Sequence, residues 1–201
     1  MKRLHLALLT LVLAARSLAG QGTVVDEGSF TISRGGDRVG REDFSIRHVP
    51  TTAGAYETLT RGLLVIGPRR LTVDLSADST GLPARFQSKS VAEGLPSETY
   101  RAEVIGRRFS ARAVRGSGES AREILLPRGT LVVEDGVLHL LQFVVARGAG
   151  TVAAIVPARG VTVTLAVEDA GRDQVAIALQ SIDHRPHSIP SQGESAQAFV
   201  G

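Results

Sequence analysis

Apolar and polar residues alternate along most of the chain with a period of two. Leu71, Val73, Leu75 and Ala77 alternate with Thr72, Asp74, Ser76 and Asp78, the pattern of a strand with one covered and one wet face. Asp78-Ser79-Thr80-Gly81 supplies turn residues, and Leu82, Ala84 and Phe86 resume the alternation, so the two runs predict a hairpin. The same motif recurs with Val161, Val163, Leu165 and Val167, a turn at Asp169-Ala170-Gly171, and a return through Val175, Ile177 and Leu179. Phe30 and Ile32 lead into Gly35-Gly36-Asp37 and come back as Phe44 and Ile46. Tyr56 to Ile66 forms a further strand, ended by Gly67-Pro68. Tyr100, Ala102 and Val104 turn at Gly106 into Phe109, Ala111 and Val114, where the phase slips and a bulge is expected. Ala121 to Leu126, Thr151 to Val156 and Ser195 to Val200 complete the series. Turn signals every 8 to 12 residues or so predict a mainly β fold: an antiparallel, hairpin-built curved sheet, closed as a barrel, open as a half-barrel, or doubled as a sandwich.

Val137 to Arg147 breaks the period. Leu138, Leu141 and Val145, with Leu140 and Val144, fall at helical spacing. Asp135 stands where a cap would, His139 and Gln142 share a narrow polar face, and Gly148 and Gly150 end the run. These residues predict one short buried helix, with a buried strand as the alternative. A helix so apolar needs covering on most sides. The longest apolar strand faces carry Val73, Leu75, Val163 and Leu165. Leu138, Leu141 and Val145 are therefore expected to pack against them, with Ala102, Ala111 and Ala154 leaving room for a ligand.

The first nineteen residues follow another grammar. Lys2 and Arg3 precede an apolar stretch from Leu4 to Ala15, and Ser17-Leu18-Ala19 places small residues before Gly20. That order predicts a cleavable secretory signal over 1–19 and a single β-rich domain over 20–201, periplasmic or secreted. The apolar stretch is shorter than the roughly 18 to 20 residues of a bilayer span, and no later stretch predicts a membrane-crossing helix. The chain has no cysteine, which removes a lipoprotein anchor and disulfides from the expectations. The formal charge of +3 resides in the signal: removing Lys2, Arg3 and Arg16 leaves cationic and acidic residues equal in number. Nucleic acid, which calls for a net basic domain, is not an expected partner.

Catalytic motifs are lacking. No G-x-S-x-G elbow occurs, and Gly116-Ser117-Gly118-Glu119-Ser120 reads as a hairpin loop. His48 and His139 stand isolated in the sequence. His184 and His187 are three apart in an extended context broken by Pro186, where alternation sets them on opposite faces, so neither metal nor cofactor is expected. Asp26-Glu27, Glu42-Asp43, Glu134-Asp135 and Glu168-Asp169 are adjacent acids rather than a pair across a cleft. Gly35-Gly36-Asp37-Arg38-Val39-Gly40 lacks the G-K-[ST] ending of a phosphate loop.

From Gly28 to Glu42 the chain reads G-x-F-x-I-x-R-x-G-x-x-x-G-x-E. This run, the hairpin from Leu71 to Arg85 and the segment from Leu131 to Pro157 resemble a family of exported bacterial β-rich proteins known only as domains of unknown function. In architecture the chain also resembles the half-barrel lipoprotein carriers of the periplasm. Neither resemblance brings a functional residue with it. The sequence therefore predicts a non-enzymatic exported envelope protein that binds or carries an apolar, lipid-like ligand through Leu138, Leu141, Val145, Val73 and Leu75. The other expectation is a structural or protein-interaction domain of the envelope with a solid core.

Overall fold

The computed structural model describes residues 22–52, 54–171, 174–183 and 197–200. Eight strands run up and down in sequence order as one antiparallel sheet: β1 (Thr23–Arg34), β2 (Asp37–Pro50), β3 (Tyr56–Ile66), β4 (Arg69–Ala77), β5 (Pro83–Ala92), β6 (Glu98–Ile105), β7 (Arg108–Arg115) and β8 (Gly118–Leu125). Each joins the next through a short turn, as the alternating pattern predicts. At the β4–β5 turn, Asp78 Oδ1 accepts the backbone N–H groups of Thr80 and Leu82 at 2.8 and 3.0 Å, an Asx arrangement that fixes the reversal. The sheet does not close: β1 and β8 are its two edges. Of the architectures the pattern allowed, this is an open curved sheet facing a second, smaller one.

That second sheet has five strands in the order β13-β12-β11-β10-β9. They are β9 (Leu131–Val132), β10 (Gly150–Val156), β11 (Val161–Gly171), β12 (Gln174–Asp183) and β13 (Gln197–Val200). Here the topology departs from hairpins. β9 pairs parallel with β10, and parallel neighbours require a crossover. The crossover carries α1 (Leu141–Val145), the one helix among the described residues.

Two local expectations are corrected. The helix spans five residues, not Val137 to Arg147, and Asp135 does not cap it; the cap position is Leu140, with no side-chain bond. The preceding segment is held otherwise. Val137 donates to the Glu134 carbonyl at 3.1 Å in a tight turn where Gly136 has φ +77°. The Leu138 N–H is taken by the Glu42 carboxylate at 2.6 Å. A helix can begin only after those two anchors. The bulge expected near Val114 is also absent: β6 and β7 pair without a register shift. Ala113 continues the inward series of Phe109 and Ala111, and Val114 faces outward.

One apolar cluster spans both sheets. It takes Leu71, Val73, Leu75, Phe86 and Phe109 from the large sheet and Val152, Ile155, Val163, Leu165 and Val167 from the small one. Between them α1 and its approach insert Leu140, Phe143 and Val144. The helix is thus covered on this side by both sheets. Leu138, Leu141 and Val145 stay half-buried, Leu141 and Val145 packed at the margin of this cluster.

Candidate functional site

On β2 the inward positions run Gly40, Glu42, Phe44 and Ile46, so an acid occupies a slot that the alternation reserves for the core. Glu42 is fully buried. Its Oε1 lies 2.5 Å from His139 Nδ1, and its Oε2 accepts the Leu138 N–H. With Glu42 as a carboxylate both its oxygens accept, and the imidazole proton then stands on Nδ1. His139 Nε2 then faces the Thr60 hydroxyl at 3.3 Å. Phe44 lies parallel to the imidazole, ring centres 6.2 Å apart. Gly62 of β3 makes room for it, since a Cβ there would sit 2.4 Å from His139 Cε1. Thr60, His139 and Glu42 stand in the order of a nucleophile, base and acid. All three are closed off, however, with Thr60 and His139 each only 2% exposed. What the arrangement does is bind the crossover to β2 and β3.

Beside this relay lies a partly open cleft of about 370 Å³ between the β1–β2 hairpin and α1. Phe30, Phe44 and Ile46 form one wall, Leu138, Leu141 and Val145 the other, and His139 and Gln142 contribute between them. Phe30 stacks on Phe44 at 5.0 Å, which stiffens the first wall. Gln142 brings a polar feature: its Nε2 is buried and has no hydrogen-bond partner among the described residues. Asp26 also lines the cleft.

Glu134 and Tyr100 carry buried polar groups elsewhere. Glu134, at the turn before α1, accepts the N–H groups of Asp135 and Ala158 at 3.2 and 3.3 Å. Burial pushes its carboxyl up to about 7, with those bonds acting in the opposite direction. Tyr100 has a buried hydroxyl with no partner among the described residues, and burial raises it to about 12.

The sequence-derived ligand residues divide into two groups. Leu138, Leu141 and Val145 meet in the cleft. Val73 and Leu75, 1% and 3% exposed, belong to the core between the sheets and do not reach it. Ala102, Ala111 and Ala154 are likewise buried members of that core. His139 is not isolated, as the sequence suggested, but joined to Glu42, ninety-seven residues away. His48 stacks on Tyr56 at 3.9 Å. His184 and His187, like the signal residues 1–19, lie outside the described residues. Among the described residues no group of His, Cys, Asp or Glu side chains could hold a metal ion, and no helix is long and apolar enough to cross a membrane. No protein-family model, no curated protein and no solved structure matches this chain.

Proposed function

We propose that this is an exported envelope protein whose cleft between the β1–β2 hairpin and α1 receives an apolar chain bearing a carbonyl group. The observation that carries the reading is the unpaired Gln142 Nε2 in a cleft walled mainly by apolar side chains. A buried donor without a partner costs on the order of 1–3 kcal/mol, and a ligand carbonyl would recover that while its hydrocarbon covers Leu138, Leu141 and Val145. The volume stands at the lower end of small-molecule sites, suited to one acyl chain rather than a whole lipid.

The test compares neighbours in the approach to α1 and in α1 itself. Leu140→Ala removes a core side chain and should cost about 2–5 kcal/mol. Leu141→Ala should cost clearly less and weaken binding of a fluorescent fatty-acyl probe. Gln142→Leu should leave stability unchanged or higher while weakening the same probe. Equal losses for Leu140→Ala and Leu141→Ala, with no probe binding by the parent, would overturn the cleft reading. The filled space around Val73 and Leu75 would then favour the second reading, an interaction domain with a solid core.

A further inference from the structure

The outer face of the large sheet carries two adjoining hollows of about 810 and 560 Å³, which share Arg101 and Glu103 and form one furrow across β2 to β8. Five arginines line it, Arg47, Arg61, Arg85, Arg101 and Arg112, against three acids, Asp74, Glu103 and Glu123; Arg122, paired with Ala111, faces the other way and bonds the Arg159 carbonyl. The chain beyond residue 19 has equal numbers of cationic and acidic residues. The excess of cations in the furrow is therefore a local concentration. Some of it is neutralised within the sheet: Arg61 Nε meets Asp74 at 2.6 Å and Arg112 Nε meets Glu119 at 2.9 Å. Arg85 and Arg101 have no hydrogen-bond or ion-pair partner among the described residues. Moreover, Arg101 stands directly opposite Arg112 on β7, and like charges in facing positions destabilise a sheet. Glu103, across from Arg85, and Glu119, on Arg112, temper the field there.

We propose that this furrow binds an extended acidic polysaccharide, with its carboxylate or sulfate groups on Arg85 and Arg101. Guanidinium forks take such groups in paired hydrogen bonds. β6 and β7 set Arg101 and Arg112 directly opposite one another, about 5 Å apart, and Arg85 on β5 stands diagonal to Arg101, about 7–8 Å away, an array suited to a polymer with recurring charge. Gln87 and Ser110 lie in the same furrow and offer amide and hydroxyl groups to sugar hydroxyls. The single aromatic residue lining it, Phe86, is turned into the core. The furrow therefore lacks the stacking platform that single-stranded nucleic acid uses. The proposal is independent of the cleft on the inner side.

The experiment titrates the full chain into a fluorescein-labelled heparin octasaccharide, an oligothymidylate of matched charge and a neutral dextran fragment, at several salt concentrations. The octasaccharide should bind, and the double variant Arg85→Ser/Arg101→Ser should weaken it at least tenfold. The slope of affinity against salt should fall by about two, one for each lost contact. Arg70→Ser, an exposed cation on β4 outside the furrow, should bind as the parent does. Arg70→Ser should melt as the parent does, and the double variant should melt no lower, since Arg85 and Arg101 are exposed and Arg101 faces Arg112. Absence of octasaccharide binding, an unchanged double variant, an Arg70→Ser loss as large as the double variant's, or tighter binding to the oligothymidylate or the dextran would each overturn the proposal.

Discussion

The inner face of the eight-stranded sheet is built in two ways. From β4 to β7 it is apolar, with Leu71, Val73, Leu75, Phe86 and Phe109 packed against the small sheet. On β2 and β3 buried polar groups, Glu42, Thr58 and Thr60, stand among Ile46 and Leu64, and Glu42 and Thr60 receive His139 from the crossover. The first region depends on volume: apolar contacts are non-directional and tolerate exchanges that keep size. The second depends on direction, because each buried donor and acceptor needs one particular partner. The apolar half supplies a surface against which many crossover paths could pack. The polar half selects one, by fixing the Leu138 amide and the His139 ring to a single carboxylate. The cleft beside α1 exists because the crossover is held at that position.

The strongest way to break this contrast is to remove the carboxylate. Glu42→Ala leaves the His139 Nδ1–H and the Leu138 N–H without acceptors in a closed space, and losing one partner of a buried pair costs about 3–5 kcal/mol. A volume change in the apolar half, Leu75→Ala, should cost about 2–5 kcal/mol. The two differ in kind more than in size. In hydrogen exchange, Glu42→Ala should expose the amides of 138–146 well before global unfolding, whereas Leu75→Ala should lower protection throughout. Uniform loss of protection in both variants would mean that the relay does not hold the crossover specifically.

A second buried acid sharpens the comparison because it lacks a base. Glu134 is held only by two long backbone N–H bonds, and burial raises it from 4.5 to about 7. The folded chain therefore keeps this proton through a window in which the unfolded chain has lost it. Stability falls as pH rises from about 4.5 to about 7. The loss, at most about 3 kcal/mol, persists at higher pH. Glu134→Gln should flatten that part of the stability profile in urea titrations between those limits. An undiminished slope in the variant would show that another group carries it.

The hairpins were legible because alternation and turn chemistry are local. Strands β1 to β8 and β10 to β12 lie in the regions that the period of two marks, though β8 begins at Gly118 and β11 runs through Gly171, inside segments whose turn residues predicted loops. The parallel strand β9 was not legible: two residues, Leu131 and Val132, are too few to show a period, and their partner lies beyond the helix. The helix was overextended because Leu138 and His139 fit helical spacing, while the bonds that hold them come from β2. The Glu42–His139 pair joins distant segments, so no local motif announces it. Two signals were present all the same. Glu42 stands in phase with Phe44 and Ile46 on the covered face, where an acid needs a partner. Gly62 interrupts the strand Tyr56–Ile66, where an isolated glycine marks a close approach.

That glycine provides the smallest and most local test. A Cβ at position 62 would lie 2.4 Å from His139 Cε1, 2.6 Å from Nδ1 and 3.0 Å from Glu42 Oε1. The ring cannot swing aside cheaply, since Glu42 and Thr60 hold its two nitrogens and Phe44 lies parallel to it. Gly62→Ala must therefore displace the imidazole or the strand, at a cost of about 1–3 kcal/mol typical of overpacking. The lost Thr60 or Glu42 contact should appear as a shift in the His139 ring resonances. In isolation, exchanging glycine for alanine in a strand gains stability, roughly 0.5–1 kcal/mol, so the sign of the change is itself informative. The double variant Gly62→Ala/His139→Ala, with the ring gone, should cost less than the sum of the two single changes. A stabilised Gly62→Ala single variant, or strictly additive losses, would show that the ring has room to move and that the polar half of the sheet is held less rigidly than the apolar half.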